Sequence, residues 1–175
     1  MRRRLIIRVR LLRAAVLAAV VLVLATGRPA PAQEQGIPVN TGLPERVIAI
    51  ERDGVEIARF TVELARTPTE QAIGLMGRTE LAPDRGMLFI WPTADRVAMW
   101  MKNTLIPLDF VFIRPDGTIA SIVHNVQPCP PQGLCPAYAS PEPVNMVLEI
   151  GGGRSRELGI EPGDRLVLPE RREPQ

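Results

Sequence analysis

The sequence predicts a mostly β, single-domain protein: a small antiparallel sandwich or barrel-like sheet carrying one short helix. Three observations support this. Eight short β-rich runs are separated by Gly, Pro, Asn and Asp punctuation. One segment alone, opening at Thr67, carries a full helix-start signal. Beyond a basic, apolar leader, 143 of the 175 residues remain, enough for one ordinary domain and short of two.

Val47 to Ile50 and Glu56 to Leu64 are the first strand-like runs, joined by the hairpin turn Arg52-Asp53-Gly54. In the second run Phe60, Val62 and Leu64 alternate with Thr61 and Glu63, so one face is apolar. Thr67-Pro68-Thr69-Glu70 then reads as a capping box with proline at the first helical position. The predicted helix runs from about Pro68 to Met76 and stops at Gly77. Gly74 falls inside that span at a cost of ~1 kcal/mol relative to alanine, which suggests close approach to a neighbouring strand. The remaining β-rich runs are Met87 to Trp91, Val97 to Met101, Asp109 to Ile113, Thr118 to Val123, Val144 to Ile150 and Arg165 to Leu168. Gly151-Gly152-Gly153 lacks the lysine and helix signal of a phosphate loop and reads as a turn.

The ends of the chain set the compartment. Residues 1–32 hold seven arginines and no acid, an unbroken apolar run from Ala14 to Ala25, and the small-residue site Ala30-Pro31-Ala32. This is the pattern of a cleaved secretory signal, with the mature chain starting at Gln33. The apolar run of twelve residues is shorter than the ~20 a spanning helix needs. Residues 33–45 read as a flexible lead-in, 46–169 as the β-rich domain and 170–175 as a tail. Without the leader, 14 basic residues face 19 acidic ones, a net charge of −5. That balance argues against nucleic acid as a partner, because phosphate binding needs a basic surface. No second stretch is long and apolar enough to hold the mature chain in a membrane. Cys129 and Cys135, the only cysteines, read as a disulfide in an exported domain. The bridge falls inside Pro128 to Pro143, where six prolines occur in sixteen residues.

Trp100-Met101-Lys102-Asn103-Thr104 is the most unusual stretch. Strand alternation places Trp100 and Lys102 side by side, an aromatic platform beside a cation, suited to a saccharide or an anionic small molecule. Lys102 is the only lysine against twenty arginines, which suggests that a compact ammonium is needed there. A snorkelling lysine beside a packed tryptophan is the plainer alternative. Asp109, seven positions on, reaches Lys102 if the segment folds back. Glu63 and Glu149 lie between apolar neighbours, either as solvent-facing carboxylates on a one-sided sheet or as walls of a cleft. Arg78 follows the helix stop and can bind helix-end carbonyls or one of these carboxylates. An enzyme would use Asp109 or Glu149 as acid or base with Lys102 alongside. Met99, Met101 and His124 form a soft-donor set that fits Cu(I), although strand methionines also serve as core filler. No cofactor motif or nucleophile elbow is present, and oligomeric state is not encoded in any motif.

Taken in order, Glu63-Leu64-Ala65, Gly74-Leu75-Met76-Gly77-Arg78, Gly86-Met87-Leu88-Phe89, Trp100-Met101-Lys102-Asn103-Thr104, Pro107-Leu108-Asp109, Leu148-Glu149 and Gly163-Asp164 resemble the uncharacterised bacterial and archaeal family known as domain of unknown function 192. The resemblance covers about Val47 to Leu168. It implies a compact, mostly β, often exported domain with one helix and no established activity. It supplies no catalytic residues. Its signature positions here are Glu63, Arg78, Trp100, Lys102, Asn103, Asp109 and Glu149, as a ligand cleft or as a buried polar network.

Overall fold

The computed structural model describes residues 36–130 and 132–168. The leader, the signal cleavage site and the tail at 170–175 lie outside the described residues. The described elements are β1 (Glu45–Arg52), β2 (Val55–Ala65), α1 (Pro68–Ile73), β3 (Arg85–Asp95), β4 (Ala98–Trp100), β5 (Leu108–Ile113), β6 (Ile119–Val126), β7 (Ala137–Ala139), β8 (Val144–Gly151), α2 (Arg154–Glu157) and β9 (Arg165–Val167).

Seven strands form one sheet in the order β6-β5-β8-β3-β2-β1-β9, and β4 pairs with β7 in a second. The large sheet rolls up until its two edges meet. Thr118 bridges Arg165. Ile119 N donates to the Asp164 carbonyl at 2.8 Å, Gly163 N to that of Ile119 at 2.9 Å, and Leu166 N to that of Gly117 at 2.8 Å. Edge groups that would otherwise template aggregation are thereby paired. The result is a barrel-like sheet in a mostly β protein.

Two apolar clusters lie on opposite sides of this wall. The lumen cluster draws Ile48, Phe60, Leu88, Val111, Ile119, Leu148 and Leu166 from all seven strands. The outer cluster draws Met87, Phe89, Phe110, Phe112 and Val147 from the central strands, beneath Leu75, Met99 and Met101. Strands covered on both faces carry apolar residues at successive positions, which is why β5 is buried from Leu108 to Ile113.

Several sequence expectations change here. β2 and β3 run parallel, not antiparallel, because α1 lies between them and a crossover returns the chain in the same direction. The capping box is present, with Thr67 Oγ1 accepting from Glu70 N and Glu70 Oε2 from Thr67 N. The helix, however, ends at Ile73, and Gly74 caps it at φ 51°. A Cβ there would lie 3.0 Å from the Phe89 ring, so the close approach to a strand is real. A second helix, α2, follows Gly153, which sits at φ 84° as its N-cap. β7 arises within the proline-rich segment, where composition signals only loop. Residues 36–44 precede β1, and buried Asn40 donates from Nδ2 to the carbonyls of Glu70 and Gly74 at the end of α1.

Candidate functional site

The outer layer presents the Trp100 ridge. Across β4 and β7, Ala98 pairs with Ala139, Met99 with Tyr138 and Trp100 with Ala137. Met99 turns inward and is buried, while Ala98, Ala137 and Ala139 are exposed around Trp100, itself 47% exposed. Alanines supply no bulk to cover an indole, so the ring stands clear of its sheet. After buried Met101 the chain turns, with Thr104 N donating to the Met101 carbonyl at 3.1 Å and Asn103 held at φ 56°. Asparagine tolerates this left-handed geometry better than most side-chain-bearing residues. The Asn103 carbonyl accepts from Gly77 N at 2.9 Å, and its Nδ2 faces Met76 Sδ at 3.8 Å. The turn brings Lys102 Nζ to 5.2 Å from the centroid of the Trp100 ring, a cation–π distance.

The other residues singled out from sequence do not join this ridge. Asp109 is fully buried and does not reach Lys102. Its Oδ1 accepts from the backbone N–H groups of Asn125 at 2.6 Å and Gly153 at 2.7 Å; its Oδ2 accepts from Ser155 N at 2.8 Å and Ser155 Oγ at 2.5 Å. The carboxylate caps α2, whose own N-cap is a glycine without a side chain. It is a structural clamp, and the expected Asp109–Lys102 pair is replaced by it.

Glu63 and Arg78 meet in a separate cleft. Arg78 Nη2 donates to both Glu63 oxygens at 2.9 and 2.8 Å and to the Asn40 carbonyl at 2.9 Å. Val39, Asn40, Glu45 and Arg85 also line this cleft of about 420 Å³. Neither Trp100 nor Lys102 does. The pair is mostly buried, so Glu63 is not solvent-facing.

Glu149 is buried too, and its Oε2 has no partner among the described residues. Burial pushes its carboxyl up to about 8. Glu149 faces Phe110 across the β5–β8 ladder, whereas Asp109 faces Ile150. Successive residues point to opposite faces, so the two carboxyls lie on opposite sides of the sheet wall. The solvent-facing reading of Glu63 and Glu149 fails for one reason: the outer face is not open but covered by a second layer.

Cys129 and Cys135 are joined, with Cα atoms 5.2 Å apart. Cys129 lines a groove of about 360 Å³ together with Met101, His124 and Tyr138. His124 Nδ1 is 2.8 Å from Ser155 Oγ. The single Ser155 hydroxyl proton goes to Asp109, so the Ser155 oxygen is left to accept from His124 Nδ1. Met99 is not part of this lining, so the three soft donors do not gather as expected. Sequence pattern alone does not single out Ser155, Asn40 or the capping position of Gly153. The Gly-Gly-Gly-Arg-Ser run is the nearest signal, since a glycine N-cap has no side chain of its own to accept from the helix start.

The sequence profile of the domain of unknown function 192 family, described as uncharacterized ACR, matches residues 48–168. The chain belongs to that family. Solved structures similar to this family member include a protein from Sinorhizobium meliloti described as a proposed transcription regulator. It is 40% identical, with a TM-score of 0.67, covering 74% of this chain and 97% of that one. A second, a protein of unknown function from Novosphingobium aromaticivorans, is 36% identical, with a TM-score of 0.66, covering 81% and 99%. No curated protein matches the sequence. For the family's signature positions, the geometry separates two roles. Asp109 and the Glu63–Arg78 pair are bonded within the fold, whereas Trp100 and Lys102 face solvent.

Proposed function

We propose that this family member is an exported, non-catalytic binding or accessory module, taking a small polar or saccharide ligand that carries negative charge. The observation that carries this reading is the half-exposed Trp100 indole with the Lys102 ammonium 5.2 Å from its ring. An indole face packs against the C–H face of a sugar, and a compact cation selects for a carboxylate or phosphate on it. Export is supported by the leader's composition and by the disulfide, which persists in oxidising compartments. An enzyme built on Asp109 or Glu149 is disfavoured: Asp109 is saturated by four donors, and Glu149 lies across the wall from it. Against direct nucleic-acid binding stands the net charge of −5 beyond the leader.

Calorimetry of the chain from Gln33 against neutral and uronic-acid oligosaccharides tests the reading. Trp100→Ala should abolish binding of both, and Lys102→Met should weaken only the acidic ones, about tenfold. Failure of every oligosaccharide to bind would overturn it. A second reading, Cu(I) binding, is favoured by the groove that His124 and Met101 both line, an imidazole and a thioether. Anaerobic Cu(I) titration that His124→Gln leaves unchanged would remove it.

A further inference from the structure

The barrel has two unlike ends. At one, α2 and its Asp109 clamp close the lumen, and Arg52 locks the neighbouring turn by donating from Nε and Nη2 to Asp164 at 2.7 and 2.9 Å. At the other, where β1 and β8 begin and β2 ends, a cavity of about 250 Å³ lies against the lumen cluster. Its floor is apolar, made by Leu64, Leu88, Met146 and Leu166. Arg46 and Arg66 stand on its lining. Neither guanidinium has an ion-pair partner among the described residues. Two acids stand nearby, each held by backbone donors: Asp116, on the lining, accepts from Thr118 N at 2.9 Å, and Glu70 accepts from the backbone of Arg66 and Thr67.

From this geometry we infer a second binding site, for a free single-chain fatty acid. Its acyl chain lies in the cavity at this end of the barrel and its carboxylate is received by Arg46 and Arg66. An apolar floor with two guanidiniums that pair with no acid among the described residues matches that amphiphile at both ends. Guanidinium binds carboxylate through two parallel N–H···O bonds, and the chain gains by leaving water. The cavity is small next to the ~300–1,000 Å³ of common ligand sites, so it selects a short chain.

The test is calorimetry on the chain from Gln33 with octanoate, decanoate and dodecanoate, each below its micellar concentration. Each methylene buried is worth roughly a fourfold gain in affinity, so decanoate should bind about fifteenfold more tightly than octanoate. The gain should stop once the cavity is full. Arg46→Gln with Arg66→Gln, both at exposed positions, should fold normally and weaken decanoate at least tenfold. Uncharged octyl glucoside should bind the wild-type and double variant alike. Trp100→Ala should leave decanoate binding intact, which separates this site from the ridge. Absence of saturable binding, affinity independent of chain length, or an unaffected double variant would each overturn the inference. Co-sedimentation with phosphatidylglycerol vesicles would overturn the free-acid assignment in favour of a lipid surface.

Discussion

Replacing Glu149 with glutamine should make the protein more stable at neutral and alkaline pH. The carboxyl is buried in the outer cluster's face, one of its oxygens has no partner, and burial raises it from 4.5 to about 8. Below pH 4.5 it is protonated whether the chain is folded or not, and it costs nothing. Between 4.5 and 8 the unfolded chain releases that proton while the folded one keeps it. The folded state then binds more protons, so its stability falls as pH rises. Above 8 both states are ionised and the full penalty stands. A shift of about 3.5 units at 1.36 kcal/mol each makes that penalty about 5 kcal/mol, and about 3 kcal/mol is already lost at pH 7. Glutamine fills nearly the same volume without ionising, though its amide adds a donor that costs about 1 kcal/mol if unpaired. Urea unfolding of wild type and Glu149→Gln from pH 4 to pH 9 isolates the difference, since other titrating groups cancel. The variant should be slightly less stable at pH 4 and several kcal/mol more stable at pH 9. Curves that stay parallel across this range would refute the assignment of a buried, unpaired carboxyl.

Asp109→Asn puts an amide donor against backbone N–H groups and should cost about 3 kcal/mol in the same assay, with α2 exchanging its amide hydrogens fastest. Arg78→Met leaves Glu63 largely buried without its partner and should cost about 3 kcal/mol; a loss under 1 kcal/mol would mean that water reaches that carboxylate. Lys102→Met, on an exposed turn away from Asp109, should change stability by less than about 1 kcal/mol. Cys129→Ser with Cys135→Ser opens a seven-residue loop and should cost about 2 kcal/mol, read as a lower urea midpoint.

What the sequence could determine was whatever a few neighbouring residues decide among themselves. Alternation in Phe60-Thr61-Val62-Glu63-Leu64 sets the lumen face of β2. The Thr67–Glu70 box starts α1, and the nearness of Lys102 to Trp100 was legible from their spacing, although a turn after Met101 and not strand alternation brings it about. Compartment and count were enough to pair Cys129 with Cys135. Tertiary structure alone decided the environment of each charge. Glu63 and Glu149 carry the alternation of solvent-facing residues, yet the second layer, itself distant in sequence, covers them. Asp109 finds its donors at Gly153 and Ser155, more than forty positions away, and not at Lys102 seven positions before it. The parallel pairing of β2 with β3 and the meeting of β6 with β9 depend in the same way on how the whole sheet curls. Desolvation is set by everything that packs over a side chain, and strand periodicity reports only which way that side chain points.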